Sequence, residues 1–155
     1  MGDLNKLFFD EYTRLDKLCR EIYSDLPKEN LKGVTNYIDD MKNTPSHISA
    51  RVPGWDDYLH ELIHIRHLRN HLAHEPGAFN EELCTNDDIQ WVRYFHHGIM
   101  NGTDPLTTAR KATQRTAYTD KKAPTQKNKP MLTKKQKGKI RRFLRSIFKF
   151  FLRWF

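Results

Sequence analysis

One predicted helix carries most of the histidines of this chain. Five of the eight histidines recur there at steps of four, three, four and three residues, at His60, His64, His67, His71 and His74. Because an α-helix turns about 100° per residue, this spacing puts all five on one stripe. Imidazole binds metals and carries protons near neutral pH, so the stripe is a candidate site for either chemistry. We expect it to face solvent, because Leu62, Ile65 and Leu72 mark the opposite side of the helix.

The first motif on this helix is His60-Glu61-Leu62-Ile63-His64, which matches the H-E-x-x-H pattern of zinc peptidases. Two histidines four residues apart can hold zinc while the glutamate activates water. The third ligand would have to be an acid after the helix, at Glu75, Glu81 or Glu82, and no sheet is predicted to form a substrate cleft. A zinc peptidase with His60 and His64 as metal ligands is therefore an alternative, and the principal prediction needs no cofactor.

The second motif is Arg69-Asn70-His71-Leu72-Ala73-His74, at the end of the same helix. Arg69 falls on the apolar face, where a guanidinium is either a salt-bridge hub or a functional group held rigidly. The segment resembles the signature of the HEPN superfamily of small helical bundles, which is Arg, a polar residue, three arbitrary residues and His. The stretch from about Asp3 to Leu106 is similar to a family of short, uncharacterised bacterial proteins that carry this motif.

This resemblance implies a metal-independent ribonuclease of the toxin or phage-defence type, in which the RNA 2′-hydroxyl attacks the adjacent phosphate. It implies His74 as general acid and base, Arg69 as the group that holds the scissile phosphate, and Asn70 as an orienting group. It also implies RNA as a partner, a homodimer that brings two motifs into one cleft, and a cognate neutralising partner of unknown identity. The alternative is a non-enzymatic interaction or dimerisation module in which Arg69 and Asn70 tie the helix end to its neighbours.

The proposed site has a geometric requirement. Arg69 and His74 lie five residues apart, and hence about 140° apart on a regular helix. They converge on one phosphate only if the last turn unwinds, and Glu75-Pro76-Gly77 is a strong helix break at the right place.

The elements that would position these residues are all helical. Apolar residues at three- and four-residue steps predict helices at Leu4–Ile22, Pro27–Met41, Trp55–His74 and from near Asn86 to Ile99, joined by a connector over Asn43–Gly54. Asp3 and Asn86 are the expected N-caps. No segment alternates like a strand. We therefore predict an all-α fold, an antiparallel bundle of about four helices.

Charge divides the chain near residue 104. Residues 1–104 carry 11 basic and 18 acidic side chains, whereas residues 105–155 carry 16 basic side chains and one acidic. We predict a bundle over residues 1–104, a basic low-complexity linker over 105–133 with a turn or two of helix near Pro105–Gln114, and a cationic amphipathic helix over 134–155.

The last segment has the pattern of a helix that lies on a membrane surface. Its apolar residues fall on one side of a helical wheel, Phe148, Phe151 and Trp154 among them, and its basic residues fill the rest at Arg141, Arg142, Arg145, Lys149 and Arg153. This pattern favours an anionic membrane surface as partner. Docking on the bundle and nucleic-acid binding are the alternatives.

Several classes of protein are excluded by composition. Two cysteines do not make a disulfide scaffold, the acidic start is unlike a signal peptide, and no run of 18 or so apolar residues is present to span a bilayer. We expect a cytoplasmic protein that binds peripherally to the inner face of the membrane.

Overall fold

A computed structural model describes residues 3–120, with side chains from residue 4 to residue 114. Over this range the chain forms α-helices, two 3₁₀ turns and irregular connections, and no β-strand. The helices are α1 (Asp3–Ile22), α2 (Val34–Lys42), α3 (Ser46–Ser49), α4 (Trp55–His74), α5 (Asn86–Met100) and α6 (Pro105–Asp120). The all-α prediction is confirmed. In this part of the chain, no helix combines the length and the apolar character needed to cross a bilayer.

Helix α4 has the predicted bounds, because both of its ends are encoded locally. Gly54 before it takes the left-handed conformation, with φ of 71°, and Glu75 after it leaves the helical region at φ of −91° and ψ of 121°. Gly77 then adopts φ of 87°, which only glycine reaches at little cost. The break at Glu75-Pro76-Gly77 is thus where the sequence places it.

Helix α2 is shorter than predicted, because a residue of another helix sets its start. The segment Lys28–Asn30 is a separate 3₁₀ turn, and the α-helix begins only at Val34. Its first N–H groups need acceptors, and Asp16 of α1 supplies one: its Oδ1 accepts from the Val34 amide at 3.0 Å. Gly33 has φ of 58°, and a Cβ there would overlap the Asp16 carboxylate. The close approach of α1 therefore requires glycine.

The N-cap of helix α5 is Thr85. The prediction of Asn86 as the N-cap was wrong, because Asn86 is the first residue of the helix. The Asp88 amide donates to Thr85 Oγ1 at 3.2 Å, and the Thr85 amide donates to Asp88 Oδ2 at 2.8 Å. This reciprocal capping box satisfies two N–H groups at the helix start.

The chain beyond residue 104 continues the packed structure. We expected a linker here with a turn or two of helix, whereas α6 spans Pro105–Asp120 and buries Leu106 and Ala109 in the core. Asp104, 5% exposed, accepts hydrogen bonds from the Tyr37 hydroxyl and from the Thr107 amide. The charge boundary is therefore not the boundary of the fold.

The order of contacts gives the helix directions. Tyr58 and His64 of α4 meet Tyr94 and Asp88 of α5, so these two helices are antiparallel. In contrast, α1 and α5 run in the same direction, because Asn5 meets Cys84 just before α5 and Glu11 meets Arg93 within it. The core between them is aliphatic and aromatic, with the side chains of Phe8, Leu15, Ile38, Met41, Leu62, Ile65, Ile89 and Phe95 at most 1% exposed.

The rest of the predicted linker, residues 121–133, and the predicted amphipathic helix over 134–155 lie outside the described residues. So do the basic and aromatic side chains assigned to membrane binding, Arg141, Arg142, Arg145, Phe148, Lys149, Phe151, Arg153 and Trp154.

Candidate functional site

The histidine stripe lies on the solvent face of α4, as predicted. All five of its imidazoles are exposed, while Leu62, Ile65 and Leu72 of the same helix are buried. His64 Nε2 lies 2.9 Å from Asp88 Oδ1, at the start of α5. Burial would raise the pKa of Asp88, but hydrogen bonds from Thr85 and His64 outweigh burial and hold it below the usual value.

The zinc-peptidase alternative gains no third ligand from the fold. Within residues 3–120, no three His, Cys, Asp or Glu side chains lie close enough together to hold a metal ion. Glu75, Glu81 and Glu82 therefore do not join His60 and His64 in such a group.

Arg69 is held against α1 by an aromatic ring and an amide. Its guanidinium carbon lies 5.8 Å from the centroid of the Phe9 ring, a cation–π distance. Its Nη1 donates to the Asn70 side-chain oxygen at 3.3 Å. Of the carboxylates in the described residues, none pairs with Arg69. The guanidinium is thus half-buried and oriented, yet its charge is not neutralised by an acid.

The charge of Arg69 also acts on Tyr12, a buried tyrosine of α1. Burial and the nearby Asp16 raise the pKa of its phenol, while Arg69 and Arg66 oppose that shift. The tyrosine therefore stays neutral, and it gives Arg69 no anionic partner.

His74 is not brought together with Arg69 in one chain. Helix α4 stays regular through His74, and the Glu75 amide still donates to the His71 carbonyl at 2.9 Å. The last turn therefore does not unwind, and the two side chains leave the helix about 140° apart. The Arg69 guanidinium contacts Phe9 of α1 and the neighbouring Asn70 side chain. His74 lies exposed at the end of α4.

Asn5 is a site-forming residue that the sequence analysis did not single out. Its side chain is fully buried, donates to the carbonyls of Ala78 and Glu81, and accepts from the Cys84 amide at 3.1 Å. These bonds fix the connection between α4 and α5 on α1. The signal was present, because Asn5 lies three residues before Phe8 on the buried face of α1, where a polar side chain needs partners.

That connection completes the surroundings of Arg69. Phe79 packs edge-on against Phe9, with ring centroids 5.8 Å apart. Phe9 therefore touches both the connection and the guanidinium, and Asn5 positions Arg69 indirectly by fixing Phe79.

Comparison with known proteins gives a family. The profile of a family of unknown function, DUF6548, matches residues 6–147. The chain belongs to DUF6548. Since the match crosses residue 104, the DUF6548 sequence includes both the acidic helices and most of the basic segment. No curated protein and no solved structure matches this DUF6548 chain.

Proposed function

We propose that the helical domain is a metal-independent endoribonuclease of the HEPN type, in which a second copy completes the site. The observation that carries this proposal is the state of Arg69, an oriented guanidinium with no carboxylate partner in the described residues. A planar guanidinium has five N–H donors that match phosphate oxygens, and Asn70 accepts from only one nitrogen. Arg69 can therefore bind a phosphodiester without first breaking an ion pair.

The arrangement requires a dimer because Arg69 and His74 of one chain diverge. A two-fold axis near the end of α4 would bring His74 of one copy towards Arg69 of the other, in two equivalent sites. His74 takes the proton of the RNA 2′-hydroxyl as that oxygen bonds to phosphorus. The bond from phosphorus to the 5′-oxygen breaks, and the departing oxygen takes a proton from solvent. The products are a 2′,3′-cyclic phosphate and a 5′-hydroxyl end.

The first test is cleavage of RNA by the purified full chain in EDTA. His74→Ala and Arg69→Ala should each lower the rate by a factor of about 100 or more, because each removes a group that acts in the transition state. His67→Ala is the matched control, an exposed histidine of the same stripe, and should cleave like the wild type. Intact RNA under all conditions would support the non-enzymatic interaction module instead.

Mixing the two inactive variants tests whether the site is shared. In an equal mixture of Arg69→Ala and His74→Ala, about half of the dimers are mixed, and each mixed dimer has one intact site of two. We expect about a quarter of wild-type activity after the subunits exchange. Failure to recover any activity, with exchange verified, would show that each site takes both residues from one chain.

We also propose that the C-terminal segment binds anionic membrane and keeps the protein on the inner membrane face. The support is in the sequence, where 16 basic residues and one acidic residue follow residue 104 and the last of them alternate with Phe and Trp at helical spacing. Each Lys or Arg near an anionic surface contributes on the order of 1 kcal/mol. The full chain should sediment with anionic vesicles and not with neutral ones, and removal of residues 134–155 should abolish this.

One variant separates membrane binding by the tail from nucleic-acid binding. Exchanging Phe148, Phe151 and Trp154 for Ser removes three large apolar side chains but keeps every charge, so it should weaken vesicle binding while leaving salt-dependent RNA binding unchanged. Unchanged vesicle binding in this variant would show that these three side chains do not contribute to it.

A further inference from the structure

An open groove between α1 and α5 carries charged and aromatic side chains that the proposed ribonuclease site does not use. It has a volume of about 520 Å³, and its walls include Glu11, Arg14, Arg93, Tyr94, His96 and His97. Sites of roughly 300 to 1,000 Å³ are large enough for a small organic ligand.

The groove has an excess of positive charge around one half-buried acid. The Glu11 side chain is only 12% exposed, and its Oε1 accepts from Arg93 Nε at 3.0 Å and from Arg14 Nη1 at 3.4 Å. Arg93 Nη2 lies 3.0 Å from the same oxygen, an ion-pair distance. Two guanidiniums thus share one carboxylate, and two imidazoles lie beside them. This is unlike residues 1–104 as a whole, which carry more acidic than basic side chains.

The shared acid also orients the two guanidiniums towards the groove that they line. Within the described residues, the protein supplies no acceptor for Arg93 Nη1 or for Nε and Nη2 of Arg14. Their side chains are 43% and 70% exposed. A pair of pre-oriented guanidiniums with free N–H donors is the arrangement that binds a phosphate group in two-pronged fashion.

Beside the arginines, Tyr94 offers the face of an aromatic ring. It is 60% exposed, although its hydroxyl lies 2.9 Å from that of Tyr58 and the two rings are stacked at 11°. This hydrogen bond is the main cause that raises the pKa of Tyr58 to about 12, so Tyr58 stays neutral and keeps its hydrogen bond to Tyr94. Gln90, one helical turn before Tyr94, adds an amide that can pair with the edge of a base.

We propose that this groove binds a nucleotide, with the phosphate on Arg14 and Arg93 and the base on the ring of Tyr94. A fixed aromatic face next to a phosphate clamp is how proteins hold single nucleotides and the ends of single strands. The site is separate from Arg69, because Phe9 and Glu11 leave α1 about 160° apart. The phosphate can belong to a free nucleotide or to the 5′ end of an RNA, and the experiment distinguishes these sources.

The test uses the full chain with His74→Ala, so that RNA is not consumed, and follows binding calorimetrically. The probes are a nucleoside 5′-monophosphate and a short RNA with and without a 5′-phosphate. We expect saturable binding that weakens about tenfold in Arg93→Gln and in Tyr94→Ala. Arg14→Gln, at the more exposed position, should weaken it in the same direction. Arg20→Gln, which removes an exposed guanidinium paired with Asp16 on another part of α1, should change it less than about twofold.

Each outcome decides the proposal. Tighter binding of the phosphorylated RNA than of the free nucleotide assigns the groove to a strand end, and equal binding assigns it to a free nucleotide. Absence of saturable binding up to roughly 10 mM of either probe, or an Arg20→Gln effect as large as that of Arg93→Gln, would overturn it. Because the site does not include Arg69 or His74, nucleotide binding and RNA cleavage can each fail without the other.

Discussion

Arg14, Arg20 and Arg93 are each paired with a carboxylate, whereas Arg69 lies on the ring of Phe9. A carboxylate occupies some of the N–H donors of its arginine, as Glu11 does at Arg14 and Arg93, whereas an aromatic ring leaves those of Arg69 free. This difference between arginines, more than the presence of the motif, is why Arg69 is the candidate ligand of the scissile phosphate.

Asn5 is the residue on which the geometry around Arg69 depends. Asn5→Ala removes three hydrogen bonds to the α4–α5 connection and leaves the amide of buried Cys84 without a partner, so we expect a loss of about 3 kcal/mol in the free energy of unfolding. Urea unfolding measures the loss, with the exposed Asp10→Ala as a control that should stay within about 0.5 kcal/mol. Equal midpoints for the two variants would show that water replaces the bonds of Asn5.

His96 makes stability depend on pH. Burial lowers its pKa, His97 and Arg14 act in the same direction, and Glu11 opposes them. With the folded-state pKa below the unfolded value, the unfolded chain takes up the proton first as pH falls. The stability from the neutral imidazole is therefore present above about pH 6.5 and lost below it.

The variant His96→Gln isolates this effect. Between about pH 7 and pH 5, the free energy of unfolding should fall more steeply for the wild type than for His96→Gln. His47→Gln, at an exposed position of α3, serves as the control for loss of an imidazole. Parallel curves for the wild type and His96→Gln would contradict the prediction.

At the scale of the helices, local signals were sufficient for α4 and insufficient for α2. Gly54 and Glu75-Pro76-Gly77 adjoin α4, so its bounds could be predicted from sequence. The start of α2 depends on Asp16, 18 residues earlier in the chain, and no local pattern contains that contact. For α6, Asp104-Pro105 was a local start signal, an N-cap followed by a proline at the first helical position. The low apolar content of α6 gave no clear helical periodicity, so most of the helix was not predicted.

Gly33→Ala tests the contact that sets the start of α2. The substitution meets both an unfavourable backbone conformation and the Asp16 carboxylate, so it should cost about 3 kcal/mol. Gly77→Ala is the matched control: its φ is also positive, at 87°, but no atom lies within 4 Å of the added Cβ. It should cost only about 1 kcal/mol. The difference between the two, read from urea unfolding, measures the overlap with Asp16 together with the less favourable backbone of Gly33, whose ψ is −121° against −7° at Gly77, and equal costs would contradict the prediction.

The candidate site was predictable to a similar extent. The exposed histidine stripe and the half-buried Arg69 follow from the period of one helix, which the sequence contains. The groove does not, because Glu11 and Arg93 are 82 residues apart and meet only through the pairing of α1 with α5. That the last turn of α4 stays helical also required the structure, since a break after a residue does not fix the conformation before it.

For the whole molecule, the charge changes near residue 104, but the packed core extends beyond it into the first turns of α6. A chain that ends at residue 104 loses the buried side chains of Leu106 and Ala109, so its free energy of unfolding should lie at least about 2 kcal/mol below that of a chain ending at residue 120. Urea unfolding of the two purified chains measures this. The same midpoint for both would show that α6 adds nothing to the core.

The divergence of Arg69 and His74 on a regular helix has a consequence for the proposed activity in a cell. An isolated copy has no complete site, so below the dissociation constant of the dimer the rate grows with the square of the protein concentration. Newly made chains would stay harmless until enough of them accumulate. For an enzyme that degrades its own host's RNA, the regular last turn of α4 would then set the protein concentration above which RNA is cleaved.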